Sequence, residues 1–179
     1  MPVHVALLRG INVGGANKIA MTELRALAGE LGWMQAETYI QSGNLVFDAE
    51  DERTRLETAL EVGIQRRFGL NVPVLVRAAA EWTALVAANP FPEAAETEPN
   101  RLMLLLSKQP PPPEAAAALQ ERARNGERVA TAGKALWIHY AGGAGTSKLA
   151  PALIDRLVGS PATARNWRTV LKLQEMLGR

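Results

Sequence analysis

Short apolar segments alternate along the chain with segments in which apolar residues recur every three or four positions. The first pattern predicts strands, and the second predicts helices that pack on a core. In the N-terminal half the order is strand, helix, strand, strand, helix, strand, which is the split βαβ motif of ferredoxin-like domains. Strands are predicted at 3–10, 37–41, 45–49 and 72–78, and helices at 22–31 and 52–68.

The C-terminal half repeats this order of elements without an obvious repeat of residues. The predicted elements are strands at 101–107, 127–133 and 134–141, helices at 115–124 and 147–158, and a short extended piece followed by a terminal helix within 161–179. We therefore predict an α+β fold, a tandem duplication of two ferredoxin-like subdomains with antiparallel sheets, each covered by helices on one face.

A stretch with three prolines and several acidic residues, 89–100, separates the two halves after a short helix around Trp82. Prolines interrupt regular elements, and such a composition is typical of a domain junction. The predicted domains are 1–90 for the first subdomain, 91–100 for a linker, and 101–179 for the second subdomain with its terminal helix.

The amino-acid composition excludes several kinds of functional site. The 179 residues include no Cys, which excludes disulfides, thiolate metal sites and a Cys nucleophile. The net charge of +2 is too small and dispersed to indicate a dedicated nucleic-acid binder. Most basic residues are Arg, which mildly favours anionic partners, although the codon bias of a GC-rich genome is the better explanation. With no secretory leader and no stretch of ~20 apolar residues, we expect a cytoplasmic protein without a membrane partner.

A glycine-rich, basic loop follows the first predicted strand, at 9–18. It matches neither the P-loop nor the dinucleotide-binding fingerprint. Its consecutive glycines, its cations Arg9 and Lys18 and a helix expected to begin with Thr22 as N-cap nonetheless form a surrounding that attracts anions.

A similar loop, 142–149, precedes the helix predicted in the second half. It lacks the second glycine of a P-loop and the Ser or Thr after the lysine. A helix capped by Thr146 or Ser147, with a solvated Lys148, is the simpler interpretation. Capture of an oxyanion by this loop stays open.

Two further polar stretches stand out. The residues 41–44, QSGN, suit a tight turn, yet Gln41 and Asn44 also present amide groups at a sheet edge. Arg165, Arg168 and Lys172 form a basic side of the last helix and its entry, which is usually a solvated face. Arg165 differs, because it precedes the helix and could turn into a cleft.

Metal and cofactor chemistry finds little support in the sequence. The only two histidines, His4 and His139, each lie inside a predicted strand with no His or Cys beside them. Packing in the core explains them better than metal binding does. We predict no metal site and no cofactor.

Together these stretches resemble the uncharacterised bacterial family called domain of unknown function 1697. The resemblance spans essentially the whole chain, with 89–135 following only its general outline. It implies duplicated ferredoxin-like subdomains and a cytosolic protein, and it implies no activity, because the family has none established. The strings that carry it are ALLRGINVGGANKIAM, TYIQSGNLVF, NPF, SKL near HYAGG, and TARNWRTVLKL, which includes Trp167.

From the residues we predict that strand-end loops of both halves converge on one cleft that binds a small phosphate- or carboxylate-bearing ligand. Its cations would neutralise the ligand, and its amides would recognise the ligand's polar groups. The candidate ligand-binding residues are Arg9, Gly10, Asn12, Gly14, Gly15, Lys18, Gln41, Ser42, Gly43, Asn44, Lys148, Arg165 and Asn166.

Whether the protein is an enzyme stays open at this point. If it is one, we expect catalysis by electrostatic stabilisation of a phosphoryl or acyl oxyanion, because the sequence shows no obvious base or nucleophile. Ser42 and Ser147 are the only modest candidates for a nucleophile. Two other classes remain: a nucleic-acid-binding module using the basic side of the last helix, and a structural or interaction protein whose characteristic strings secure the packing of its halves. The oligomeric state is not predicted.

Overall fold

Two four-stranded antiparallel sheets contain all eight strands of the protein. The computed structural model describes residues 1–179. The first sheet has the order β2-β3-β1-β4, and the second has the order β6-β7-β5-β8. The strands are β1 (Val3–Leu8), β2 (Met34–Tyr39), β3 (Asn44–Asp48), β4 (Val74–Ala78), β5 (Leu102–Ser107), β6 (Arg128–Ala132), β7 (Ala135–His139) and β8 (Ala162–Asn166).

Seven α-helices connect and follow these strands. They are α1 (Met21–Glu30), α2 (Arg53–Phe68), α3 (Ala79–Ala87), α4 (Pro92–Thr97), α5 (Ala115–Arg122), α6 (Pro151–Val158) and α7 (Trp167–Leu177), with a 3-10 turn at Ala144–Thr146. None of them combines the length and the apolar character needed to cross a bilayer. Internal contacts divide the chain into two units: unit 1 is Met1–Trp82 with Leu173–Arg179, and unit 2 is Thr83–Lys172.

Each sheet contains split βαβ connections. Helix α1 joins β1 to β2, and both strands pair antiparallel with β3, which lies between them. The two strands joined by the helix are therefore parallel and separated by one strand. Unit 2 repeats this arrangement with β5, β6 and β7. The predicted α+β class with two similar antiparallel halves is confirmed.

The core of unit 1 forms where alternate residues of the sheet meet α1 and α2. On α2, Leu56, Leu60 and Ile64 are buried, as the helical spacing in the sequence predicts. Trp33 stacks on Phe47 of β3 with ring centroids 4.0 Å apart. Burial is not confined to the helix-covered face, because all five residues of β3 and all five of β7 are buried.

Helix side chains protect edge strand β4. Glu57 accepts a hydrogen bond from the Val76 N–H, and Glu61 accepts one from the Val74 N–H, both at 2.9 Å. Residues four apart on a helix rise about 6 Å, and residues two apart on a strand rise about 6.6 Å, so the two repeats match. These bonds pair backbone N–H groups of an edge strand that would otherwise be available to hydrogen-bond with a strand of another molecule.

The predicted helix caps are wrong. Helix α1 begins at Met21, so Thr22 lies inside its first turn, and Ala20 at the N-cap provides no side-chain bond. Helix α6 begins at Pro151, after the loop that contains Thr146 and Ser147, so neither residue caps it. Proline suits this first position because it has no N–H to leave unpaired.

The spacing of apolar residues in the sequence predicts that Leu171 lies on the inner side of the terminal helix with Val170 and Leu177, and the structure differs at Leu171. Leu171 is 44% exposed, whereas Val170, Leu173 and Leu177 are buried. A regular helix places residues 170, 173 and 177 on one stripe, and residue 171 falls at its margin.

Candidate functional site

The side chain of Asn12 holds the loop that follows β1. Its Nδ2 donates to the carbonyl oxygens of Ile19 at 2.9 Å and Gln41 at 2.8 Å, and its Oδ1 accepts from the Ile19 N–H at 3.0 Å. The backbone of Asn12 is left-handed, with φ 53°, a conformation that asparagine tolerates better than most residues. One carboxamide thus closes the loop and ties it to the turn after β2.

The tip of this loop presents backbone amides to solvent. Ala16 N–H bonds to Val13 O at 3.0 Å, which closes a tight turn around Gly14 and Gly15. Both glycines are exposed, and their N–H groups have no hydrogen-bond acceptor in the protein. Asn17 Nδ2 secures the base of the loop by donating to Gly10 O at 3.1 Å. Pairs of unbonded amides at such turns are suited to anions.

The turn between β2 and β3, residues 40–43, is packed against the end of β1. Gly43 has φ 89°, and its carbonyl accepts the Leu8 N–H at 2.9 Å. Asn44 is fully buried, and its Nδ2 donates to Tyr39 O at 2.9 Å and Ser42 Oγ at 3.1 Å. Within QSGN, Gly43 and Asn44 therefore build the turn.

A first depression of about 450 Å³ lies where the loop and the turn meet. Lys18 is exposed there and has no partner in the protein, and the side-chain amide of Gln41 is not hydrogen-bonded. No carboxylate lines this depression, so its local charge is positive. Its lining consists of Asn12, Gly15, Lys18, Ile19, Ala20 and Gln41.

A second depression of about 500 Å³ adjoins the first. The two share Ala20 and Gln41. Half-buried Arg25 lies in the second and donates a hydrogen bond from Nη1 to Thr38 Oγ1. No carboxylate lines this depression either. Its lining consists of Ala20, Met21, Thr22, Arg25, Thr38, Ile40 and Gln41.

Helix α1 begins at these depressions. The first N–H groups of an α-helix have no acceptor within it, and Ala20 supplies no side-chain cap. Leu24 N–H is the first to bond back, to Ala20 O at 3.0 Å. Unbonded amides and the positive end of the helix dipole therefore add to the charge of Lys18 and Arg25.

The chain matches a known protein family. The model of a family described as a protein of unknown function, DUF1697, matches residues 1–137. The chain belongs to the DUF1697 family. No curated protein matches it. The conserved bacterial protein SP0830 from Streptococcus pneumoniae is a similar solved structure, with a TM-score of 0.72 and 22% identity over 98% of both chains. At that identity the likeness concerns the fold.

The residues matched by the DUF1697 model include both depressions. Of the predicted site residues, the structure brings Asn12, Gly15, Lys18 and Gln41 together around the first depression. Arg9 does not line it, and its backbone N–H bonds to Pro73 O at 3.0 Å.

Three residues of unit 2 that the sequence predicts for the same cleft have the following surroundings in their own unit. Arg165 is 7% exposed and donates from Nη1 to Thr163 Oγ1 at 2.7 Å and Ala164 O at 2.8 Å. Burial lowers the pKa of Arg165 to about 10. Asn166 caps α7, because its Oδ1 accepts the Thr169 N–H at 3.0 Å. Lys148 is exposed.

Arg165 does not belong to the exposed basic side that the sequence predicts for α7. Arg168 is exposed, but Arg165 is buried on β8, so the two do not share a solvated face. Trp167 contacts Trp137 instead, with ring centroids 5.9 Å apart and planes inclined by 52°.

Ser147 pairs with a carboxylate that the sequence did not indicate. Its Oγ donates to Glu127 Oε1 at 2.5 Å and accepts the Leu149 N–H at 3.1 Å. Burial opposes ionisation of Glu127, but hydrogen bonds from Ser147 and from the Asn125 N–H outweigh it and lower the pKa of Glu127. A carboxylate with a lowered pKa is a poor general base near neutral pH. The pair therefore fixes the loop rather than activating the hydroxyl.

His139 is similarly occupied. Its Nε2 lies 2.7 Å from Glu98 Oε2, and its Nδ1 lies 3.0 Å from Arg128 Nη2. Arg can only donate, so Nδ1 accepts and Nε2 carries the proton given to Glu98. Both ring nitrogens are used within the fold. No three His, Asp or Glu side chains come together as a metal site.

The second depression contains the residues that sequence reasoning missed. Arg25 follows Met21 by one helical turn, which places it on the face of α1 that opens at the helix start. Thr38 lies on β2, opposite Leu45 of β3. The spacing of Arg25 from the helix start was the available signal, but it is informative only once that start is known.

Proposed function

We propose that unit 1 binds a small anionic ligand at the loop 9–20 and the turn 40–43. The main support is the composition of the first depression. Lys18, an exposed cation without a protein partner, lines it together with the unbonded side-chain amide of Gln41, and no carboxylate lines it. A phosphate or carboxylate there would supply the missing acceptor for Lys18.

The surroundings support the proposal independently of Lys18. The amides of Gly14 and Gly15 have no acceptor, and α1 begins uncapped at Ala20. Both polar atoms of the Asn12 carboxamide make hydrogen bonds that fix this loop. The N–H donors of the loop are therefore held in place before any ligand binds. Donors fixed in advance cost less ordering on binding.

Binding, rather than conversion, is the activity we propose. Neither depression is lined by a His, Asp or Glu that could act as a general base. Lys148 and Arg165 are not required for this site.

The test is a thermal-shift and calorimetric screen with inorganic phosphate, pyrophosphate, nucleotides, sugar phosphates and small carboxylates. A ligand at a hundredfold excess over its Kd stabilises the folded protein by about 2.7 kcal/mol. The affinity of a hit should fall as salt is added, because the cation is exposed.

Lys18→Gln should weaken a hit by about tenfold or more, since hydrogen bonds to charged groups contribute about 1.5–3 kcal/mol. The matched control is Lys134→Gln, which removes another exposed lysine without a partner, from the β6–β7 turn. The proposal would be refuted if none of the screened compounds bound, or if Lys18→Gln and Lys134→Gln lost the same amount of affinity. Loss of stability without any ligand effect would favour a structural role.

A further inference from the structure

The two depressions at the start of α1 form a pair with matching chemistry. Each contains one cation, Lys18 in the first and Arg25 in the second, and no carboxylate lines either. They adjoin through Ala20 and Gln41, which line both. Their volumes, about 450 and 500 Å³, are each within the range of small-molecule sites. A ligand confined to the first depression leaves the second cation unused.

The second depression is built for an anion of its own. Arg25 is half-buried, and its Nη1 is held by Thr38 Oγ1, which orients the planar guanidinium. An oriented guanidinium presents its remaining donors as a fork that matches a carboxylate or phosphate. The Thr22 hydroxyl lies in the same lining and can donate to the same group.

The boundary of the second depression also contains an exposed apolar surface. Ile40 is 49% exposed and has φ 51°, a left-handed conformation that β-branched residues rarely adopt. Its side chain lines the second depression and not the first. An apolar contact there suits the carbon framework that connects two charged ends.

We infer that the ligand is a bis-anion, a small molecule with two separated phosphate or carboxylate groups, one bound at Lys18 and the other at Arg25. Its middle passes over Ala20 and Gln41 and against Ile40. This inference rests on the proposed function, because it assigns the first anionic group to Lys18. Two linked groups bind more tightly than one, since the second binds at a high effective concentration.

The experiment compares alkane-1,n-diol bisphosphates, with n from 2 to 8, with the monophosphates of the same diols by calorimetry. At the best chain length, the bisphosphate should bind about tenfold or more tightly than its monophosphate. Arg25→Gln should remove that advantage and should weaken monophosphate binding by a smaller factor than Lys18→Gln does. Arg25→Lys, which keeps the charge but lacks the fork, should fall between the wild type and Arg25→Gln.

The outcomes separate this inference from the proposed function. If monophosphates bind in a manner dependent on Lys18, but no bisphosphate exceeds them or Arg25→Gln affects both series equally, the bis-anion inference is wrong and the proposed function stands. If neither series binds, both are wrong. Thermal midpoints of the variants confirm that each is folded, and Lys134→Gln again serves as the charge control.

Discussion

Gly43 offers a sharp test of how the turn after β2 is built. Its φ of 89° lies in the region that residues with a side chain rarely adopt. An added Cβ would lie 2.7 Å from Ile11 Cδ1 and 2.9 Å from Leu8 Cβ. Both neighbours are buried, so they have little room to move. Gly43→Ala therefore combines backbone strain with overpacking.

The two contributions can be separated with a second glycine. Gly69 ends α2 with φ 68°, and no atom lies within 4 Å of a Cβ placed there. Gly69→Ala should cost the strain alone, about 1 kcal/mol. Gly43→Ala adds overpacking of about 1–3 kcal/mol, for a total of about 2–4 kcal/mol.

Urea denaturation followed by circular dichroism measures both variants. The midpoint should fall in each, with the slope unchanged, and the fall should be clearly larger for Gly43→Ala. Equal losses in the two variants would show that Leu8 and Ile11 do not confine residue 43. The account of the turn as packed structure would then be wrong.

Three further predictions concern polar side chains that make hydrogen bonds within the fold. Asn12→Asp should cost about 2 kcal/mol in urea denaturation, because the side chain keeps its acceptor but loses both donated hydrogen bonds; an unchanged midpoint would contradict its role in closing the loop. Glu57→Ala should cost about 2 kcal/mol by leaving the Val76 N–H unpaired, while Glu57→Gln should cost less because it retains an acceptor; equal costs would argue against that bond. Burial alone would raise the pKa of Glu127, but hydrogen bonds, including the one from Ser147, lower it. The stabilisation that follows from this lowered pKa is present above the unfolded pKa of about 4.3 and is lost as pH falls through the folded pKa. Ser147→Ala should therefore destabilise the protein at pH 7 and should do so progressively less below about pH 4. A pH-independent difference in midpoint would contradict this.

Much of the fold could be predicted because its signals are local. Leu56, Leu60 and Ile64 repeat at helical spacing, and that pattern depends on no other part of the chain. The helix starts were less accessible. A threonine at position 22 is a good N-cap by type, but Met21 and Leu24 are buried and the N-cap of α1 is Ala20, two residues earlier.

The candidate site was predictable only in part, because a site depends on which loops meet. The sequence indicated Lys18 and Gln41 separately, and the pairing of β1 with β3 and of β2 with β3 brings them to one depression. Arg165 was predicted for the site because it precedes the last helix and could turn into a cleft. In the structure β8 pairs with β5, and Arg165 is buried on β8. Pattern alone does not distinguish an exposed arginine from a buried one.

The most direct test of the central claim is an amide NMR titration of the protein with pyrophosphate. The account predicts that the amide signals of Gly14, Gly15 and Lys18 and of the first turn of α1 shift together and saturate. Those shifts should be strongly reduced in Lys18→Gln and retained in Lys134→Gln. Shifts centred elsewhere, or none at millimolar ligand, would contradict an anion site at this loop.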